Sequence, residues 1–378
     1  AAGVAPGISR NTLYVLASLL SVVGLVLQDV TADAMSTEVV ARVHADGAPR
    51  DKADVDRDLG MVQVLGRLSL ALGAFITAGL AGWAAYNLPY ATVFLVGLIV
   101  PAISISGALL VKLDTPEVRP IDWKILGGGI AFGAFVVLMG LSGLVVAQEI
   151  VFVVSMVVVI WMLGHVVSEI DAETKRKIVY AAILIFLYRS APNVGSGYTW
   201  FSIDKLGFDE VFLGTLGQIG AGLALIAAWL FSDAITRQPV ARVLLWLTLA
   251  GAVFALPGFG LTLGLHEWTE RWLGLGPRSI ALVDAAISSP LAQLGMIPML
   301  TLVAIYAPKG SRALWFALMA SLMNLAISAG DLTTKYLNLL LPVARGSYDK
   351  LPWLYGSAWL IGVCVPLLAI VALGRRVR

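Results

Sequence analysis

Apolar runs of about twenty residues recur along the whole chain, and a run of that length is what a helix needs to cross a bilayer. Reading each run as a spanning helix places about eleven, at roughly 11–43, 59–83, 88–113, 125–147, 150–167, 178–201, 211–231, 242–265, 279–307, 312–336 and 351–373. The polar breaks between them are too short to hold a soluble domain. The predicted fold class is therefore all-α, a polytopic bundle of transmembrane helices. Composition strengthens that reading, since 59% of the 378 residues are hydrophobic and only 13% are charged. A soluble domain carries about 25% charged residues.

Charge then orients the bundle. If the first helix runs inward, the cytoplasmic loops and C-terminus receive 17 of the 26 Lys and Arg residues and the outer loops receive 7. Basic residues accumulate on the cytoplasmic side of a membrane. The expectation is an integral protein of a bacterial-type inner (plasma) membrane, with the N-terminus of this chain outside and the C-terminus in the cytoplasm. A net charge of +2 is too small to suggest a nucleic-acid partner. Cys364 is the sole cysteine, and His44, His165 and His266 lie far apart. No disulfide, metal site or cofactor is expected, and no nucleophile–base constellation points to an enzyme. The N-terminus lacks the pattern of a cleavable signal peptide. The run Gly127-Gly-Gly129 is followed by no Lys-Ser/Thr pair and is not a phosphate loop. The stretch His44 to Asp58 reads as a solvated loop, and HEWTERW, with Trp268 and Trp272, reads as a short amphipathic helix at the membrane surface.

Ionisable residues inside apolar runs are the candidate chemistry, because a charge at mid-bilayer is costly and normally faces a cavity or a partner. Asp29 and Asp33 sit four apart in the first run and so share one face of a helix. Either could bind a solute or carry a proton. Arg67, in the second run, has two readings: capture of a substrate carboxylate, or a buried pair with Asp33. Arg189 precedes Ser-Ala-Pro192 in the sixth run, where Pro192, Gly195 and Gly197 interrupt the helix and free backbone groups beside the guanidinium. Asn193, Tyr198 and Trp200 follow, offering hydrogen bonds and stacking to a flat heterocycle, or else packing at the interface belt. Asp284, in the ninth run near Pro290 and Pro298, either faces a cavity or pairs with Arg278. Asp331 and Lys335, four apart, read as an interface salt bridge.

Two regions carry a family resemblance. One is Gly24-Leu-Val-Leu-Gln-Asp29-Val-Thr-Ala-Asp33-Ala-Met-Ser-Thr-Glu38. The other joins Arg189-Ser-Ala-Pro192, Leu206-Gly-Phe-Asp-Glu-Val-Phe-Leu-Gly214, Val283-Asp284, Leu294-Gly-Met-Ile-Pro-Met299 and Ala307-Pro-Lys-Gly-Ser-Arg-Ala-Leu-Trp-Phe-Ala-Leu-Met319. In residues and spacing they resemble the folate–biopterin transporter family, a branch of the major facilitator superfamily. The resemblance implies a major-facilitator-like bundle. Residues 1–113 would supply three helices of an N-terminal bundle, 114–177 an inserted hairpin with linkers, and 178–378 a C-terminal six-helix bundle. On that alignment the family's first three helices are missing, as the external start and loop-like opening also suggest.

The implied function is a secondary transporter of the folate/biopterin type, a symporter moving a pterin-like or other anionic heterocycle with proton coupling. Asp29, Asp33, Arg67, Arg189, Asn193, Tyr198 and Asp284 are its candidate substrate-binding residues. Asp29 and Asp33 could engage the 2-amino/N3 edge of a pterin, since a carboxylate accepts a matched pair of N–H donors, and they are the candidate proton carriers. Their structural alternative is the clamp that such carriers place on the loop between helices two and three, a role that suits Asp33 and Glu38 better than Asp29. The alternative function is a transporter-derived structural or assembly subunit without transport activity, with other membrane subunits covering the incomplete bundle.

Overall fold

A computed structural model of the chain describes residues 12–13, 16–25, 27–28, 41, 43–44, 46–110, 123–168, 170–236, 238–306 and 312–377. Among them the secondary structure is helical, apart from isolated bridges between Val43 and Pro49 and between Ala344 and Ser347. In chain order the helices are α1 (Leu16–Leu25), α2 (Lys52–Asn87), α3 (Tyr90–Val96), α4 (Ile99–Leu110), α5 (Trp123–Leu141), α6 (Ala147–Val166), α7 (Ala172–Arg189) and α8 (Ser196–Asp204). They continue as α9 (Glu210–Thr236), α10 (Val240–Phe254), α11 (Leu256–Thr262), α12 (Leu265–Leu273), α13 (Pro277–Ile305), α14 (Arg312–Leu340) and α15 (Leu351–Leu373). Among the described residues 7 helical spans are long and apolar enough to cross a membrane, and this is a polytopic, all-α membrane protein.

Three of the predicted spans prove to be discontinuous. The run at 88–113 contains α3 and α4, that at 178–201 contains α7 and α8, and that at 242–265 contains α10 and α11. Pro257 explains the last of these, because proline supplies no N–H to continue the ladder from α10. Downstream of it, HEWTERW forms α12, flanked by left-handed Gly264 (φ 81°) and Gly274 (φ 67°).

The chain packs as two compact units, Ala1–Leu70 with Tyr90–Val151, and Ala71–Pro89 with Phe152–Arg378. In the first, the Gln28 side-chain amide donates to Ser104 Oγ on α4. In the second, α7 packs on α14 and α15, α9 lies along α13, and α10 touches both α13 and α15. Leu184, Ile185, Leu244, Val303, Trp315 and Met319 form a dense apolar core at one end of that unit. The Trp315 indole donates to the Val303 carbonyl (2.7 Å), one of the last-turn carbonyls of α13 that the helix itself leaves free. Asp171 caps the start of α7 by accepting the Thr174 N–H at 2.9 Å, which holds its carboxyl below the usual carboxylate range. Small residues allow a close helix crossing. A Cβ on Gly82 of α2 would sit 2.8 Å from the Gly214 Cα of α9, a backbone approach typical of membrane helices.

Candidate functional site

The site is built where two helices of the second unit break. Helix α7 ends at Arg189, and the chain crosses Pro192 and Gly195 (φ 67°, a value that favours glycine) before α8 begins. Asn193 closes this gap. Its side-chain oxygen accepts the Gly195 N–H (2.7 Å), and its amide nitrogen donates to Asp331 Oδ1 (3.2 Å). Its backbone N–H donates to Thr334 Oγ1 (3.0 Å), while the Thr334 hydroxyl faces both the Asn193 carbonyl (3.1 Å) and the Gly330 carbonyl (2.9 Å). Gly330 permits this contact, since a Cβ there would lie 2.7 Å from the Ala191 carbonyl oxygen.

The second break separates α10 from α11 at Ala255. Carbonyls at this break meet side-chain donors from other helices. Trp359 Nε1 reaches Ala252 O at 3.0 Å, Tyr355 Oη reaches Ala255 O at 3.3 Å, and Ser288 Oγ reaches Phe254 O at 3.5 Å. Such donors are how a membrane helix tolerates an interruption. Asp284 of α13 stands behind the break, facing the Gly258 backbone N–H and the Ser288 hydroxyl (3.5 Å).

Between the two breaks lies a cavity of about 400 Å³. Gly251 of α10 and Ala255 at its C-cap line one side, and Ala358, Gly362 and Pro366 line it from α15. Both sets recur every four residues and so form a small-residue stripe on each helix. Across this space Trp359 reaches the α10 backbone at Ala252, and Tyr355 reaches the Ala255 carbonyl at the break. Tyr188, Tyr355 and Trp359 supply aromatic walls, and Asn193 and Thr248 supply polar groups. The Tyr355 ring stacks on Phe259 (5.4 Å between centroids) and meets Tyr198 edge-on (5.7 Å). A slot of this size, mostly apolar with a few convergent polar groups, is the usual form of a small-molecule site.

The sequence matches the BT1 family across residues 7–376. The chain belongs to this family. It is 28% identical over 185 residues to the folate-biopterin transporter of Synechocystis sp., a match covering 48% of this chain and 36% of that protein. Folate transporter 2 of Plasmodium falciparum is 23% identical over 169 residues (45% of this chain, 36% of that one). Probable folate-biopterin transporter 4 of Arabidopsis thaliana is 24% identical over 162 residues (43% and 32%). The chain thus spans about a third of the length of the curated relatives it matches.

Within this BT1-family chain the predicted residues are distributed unevenly. Asn193 lines the slot, Tyr198 packs on its Tyr355 wall, and Asp284 stands within electrostatic reach of both tyrosines. Arg189 is turned elsewhere. One of its terminal nitrogens donates to Met296 Sδ on α13, and its Nε is buried with no hydrogen-bond partner. Arg278 pairs with Asp209 (2.9 Å) and the Gly207 carbonyl (3.2 Å), so it is not the partner of Asp284. Asp209 is held below the usual carboxylate range mainly by the Phe212 N–H it accepts at the start of α9, with help from Arg278. Asp331 accepts from Asn193, and Lys335 Nζ lies 5.8 Å from the centre of the Tyr336 ring.

Asp29 and Asp33 lie outside the described residues, as does Glu38. Arg67 falls on α2, with its side chain outside the description, so its expected pairing with Asp33 does too. Sequence reasoning passed over Tyr188, Thr248, Tyr355 and Trp359. The small residues four apart in 251–255 and 358–362 were the available signal for a slot beside them.

Proposed function

We propose that this chain forms part of a secondary transporter of the folate/biopterin type, and that the slot between α10 and α15 holds the flat heteroaromatic portion of its solute. The slot carries the proposal. Two small-residue stripes leave space between helices that would otherwise close, and aromatic rings at its edges offer the faces on which a pterin stacks. Asn193 and Thr248 supply hydrogen bonds along its rim. Arg189, with an unpartnered buried Nε, is a candidate for the anionic end of a longer solute. Asp29, Asp33 and Arg67 are separate candidates for solute contact on the N-terminal helices. The named functions of the relatives support transport of a folate or biopterin.

Membrane orientation belongs to the same proposal, with the N-terminus of this chain outside and its C-terminus in the cytoplasm. Cysteines introduced near Pro49 and Thr174 should be shielded from an impermeant thiol reagent in intact cells, and those near Leu206 and Ser347 should label. The deciding experiment is uptake of labelled biopterin and folate into vesicles carrying the product of the full coding sequence. Saturable uptake that Ala358→Leu lowers at least tenfold supports the slot. Absence of both uptake and exchange defeats the carrier reading and leaves the assembly-subunit alternative.

A further inference from the structure

We propose that Asp284 is the proton-binding carboxylate that couples this carrier, and that Tyr355 stands between it and the solute slot. This rests on the transport reading given above.

Asp284 lies on α13, two turns after its start, with its carboxylate turned toward the α10–α11 break. Its oxygens lie beside the Gly258 backbone and meet the Ser288 hydroxyl at a long 3.5 Å. The titratable groups facing it are Tyr198 of α8 and Tyr355 of α15. No basic side chain faces it among the described residues. The charged residues described on the elements packed on α13 are not among its electrostatic partners. They include Glu210 on α9, Arg242 on α10, Arg271 on α12, and Asp331 and Lys335 on α14. Arg278, the nearest cation along its own helix, is committed to Asp209. A carboxylate inside a membrane that has no cationic partner can accept a proton without breaking an ion pair.

Gly258 shows how the proton can matter to the slot. A Cβ on Gly258 would lie 2.7 Å from Tyr355 Oη, 3.3 Å from Asp284 Oδ1 and 3.4 Å from Oδ2. The hydroxyl and the carboxylate therefore converge on one point, which Gly258 leaves open. Tyr355 now donates to the Ala255 carbonyl at 3.3 Å, and the Asp284 carboxylate, the other acceptor on this side of the ring, lies across the Gly258 position and within electrostatic reach. An ionised Asp284 draws the Tyr355 O–H toward itself. A protonated Asp284 has lost that claim and returns Tyr355 to Ala255. Since the Tyr355 ring is also a wall of the slot, the protonation state and the shape of the slot are linked. The chemistry is proton transfer alone, from water to the carboxylate on one side of the membrane and back to water on the other.

The test uses vesicles carrying the product of the full coding sequence, with labelled biopterin as the probe. Two rates are read: accumulation driven by an imposed proton gradient, and exchange of labelled for unlabelled biopterin with no gradient. For Asp284→Asn the expected result is at least a tenfold loss of gradient-driven accumulation with exchange kept within about twofold. Retained exchange also shows that the variant is folded. Asp284→Glu should restore part of the accumulation. Wild-type accumulation by Asp284→Asn overturns the proposal. Loss of exchange as well overturns it too, because Asp284 would then serve binding or folding. Failure of the wild-type protein in both assays is a different result and removes the transport reading itself.

Discussion

At the α7–α8 break, the backbone around Asn193 is closed largely by a single hydroxyl, that of Thr334, and α14 approaches so closely that only glycine fits at position 330. At the α10–α11 break, carbonyls are reached by Ser288, Tyr355 and Trp359, long or separate groups from two other helices. The first arrangement is compact. The second brings large rings across a gap between small-residue stripes, and the slot is that gap. An unpaired buried amide costs about 1–3 kcal/mol on protein scales, so both breaks need their donors or acceptors. The difference between them lies in what the closure leaves behind: packed helices in one case, solute-sized space and a nearby carboxylate in the other.

The largest expected effect separates the two directly. Gly330→Ala places a methyl 2.7 Å from a backbone oxygen, which cannot swing aside. We expect about 3 kcal/mol of destabilisation, toward the upper end for overpacking. Gly258→Ala also creates a 2.7 Å contact, but with the Tyr355 hydroxyl at the end of a side chain. It should cost far less stability while weakening binding of the heterocycle proposed for the slot. Thermal unfolding and ligand binding measured on both purified variants check this. Equal losses of stability would erase the distinction between a packed break and an open one.

Next in size is Thr334→Val, which keeps the shape but leaves the Asn193 N–H without its acceptor and should cost about 2 kcal/mol. Trp359→Phe removes one donor from the second break, where the surroundings are looser, and should cost about 1 kcal/mol. If denaturation ranks them in the opposite order, the second break is the tighter one.

These particulars also show how far the sequence could be read. The first break was legible, because Pro192, Gly195 and Gly197 crowd one apolar run. The second was not, since a lone Pro257 in a run of membrane residues is ordinarily absorbed without interrupting the helix. The small residues at 251, 255, 358 and 362 were visible, but their facing one another depends on packing across roughly a hundred residues of chain. Asp284 stood out as a carboxylate in an apolar stretch. Its expected alternative partner, Arg278, is instead drawn off by Asp209, whose position ahead of α9 suits a helix cap. For Arg189, burial was legible and its neighbour was not, because a thioether acceptor such as Met296 leaves no pattern in sequence.

The smallest effect concerns the far end of α8. Asp204 closes that helix onto the α14–α15 connection. It accepts the Arg345 guanidinium through both oxygens (3.0 and 3.3 Å) as well as the Tyr348 hydroxyl. The Arg345 bonds foremost, then Tyr348, hold its carboxyl below the ordinary carboxylate value of 3.8. A carboxyl whose pKa is lower folded than unfolded adds stability above the unfolded value and loses it as pH falls through the folded one. The contribution should therefore be complete at neutral pH and disappear below about pH 4. The Arg345 side chain is 64% exposed, so solvent screens the pair and the change in melting temperature should be barely measurable. Location makes it informative. On acidification, hydrogen exchange corrected for intrinsic rate should rise over Ser196–Asp204, which hangs between this tie and the first break. It should stay unchanged over Leu256–Thr262, whose closing contacts involve no exposed ion pair. Arg345→Gln should raise exchange in the first segment at neutral pH and abolish its pH dependence. Equal acid loosening of both segments would mean that the two breaks are mechanically one.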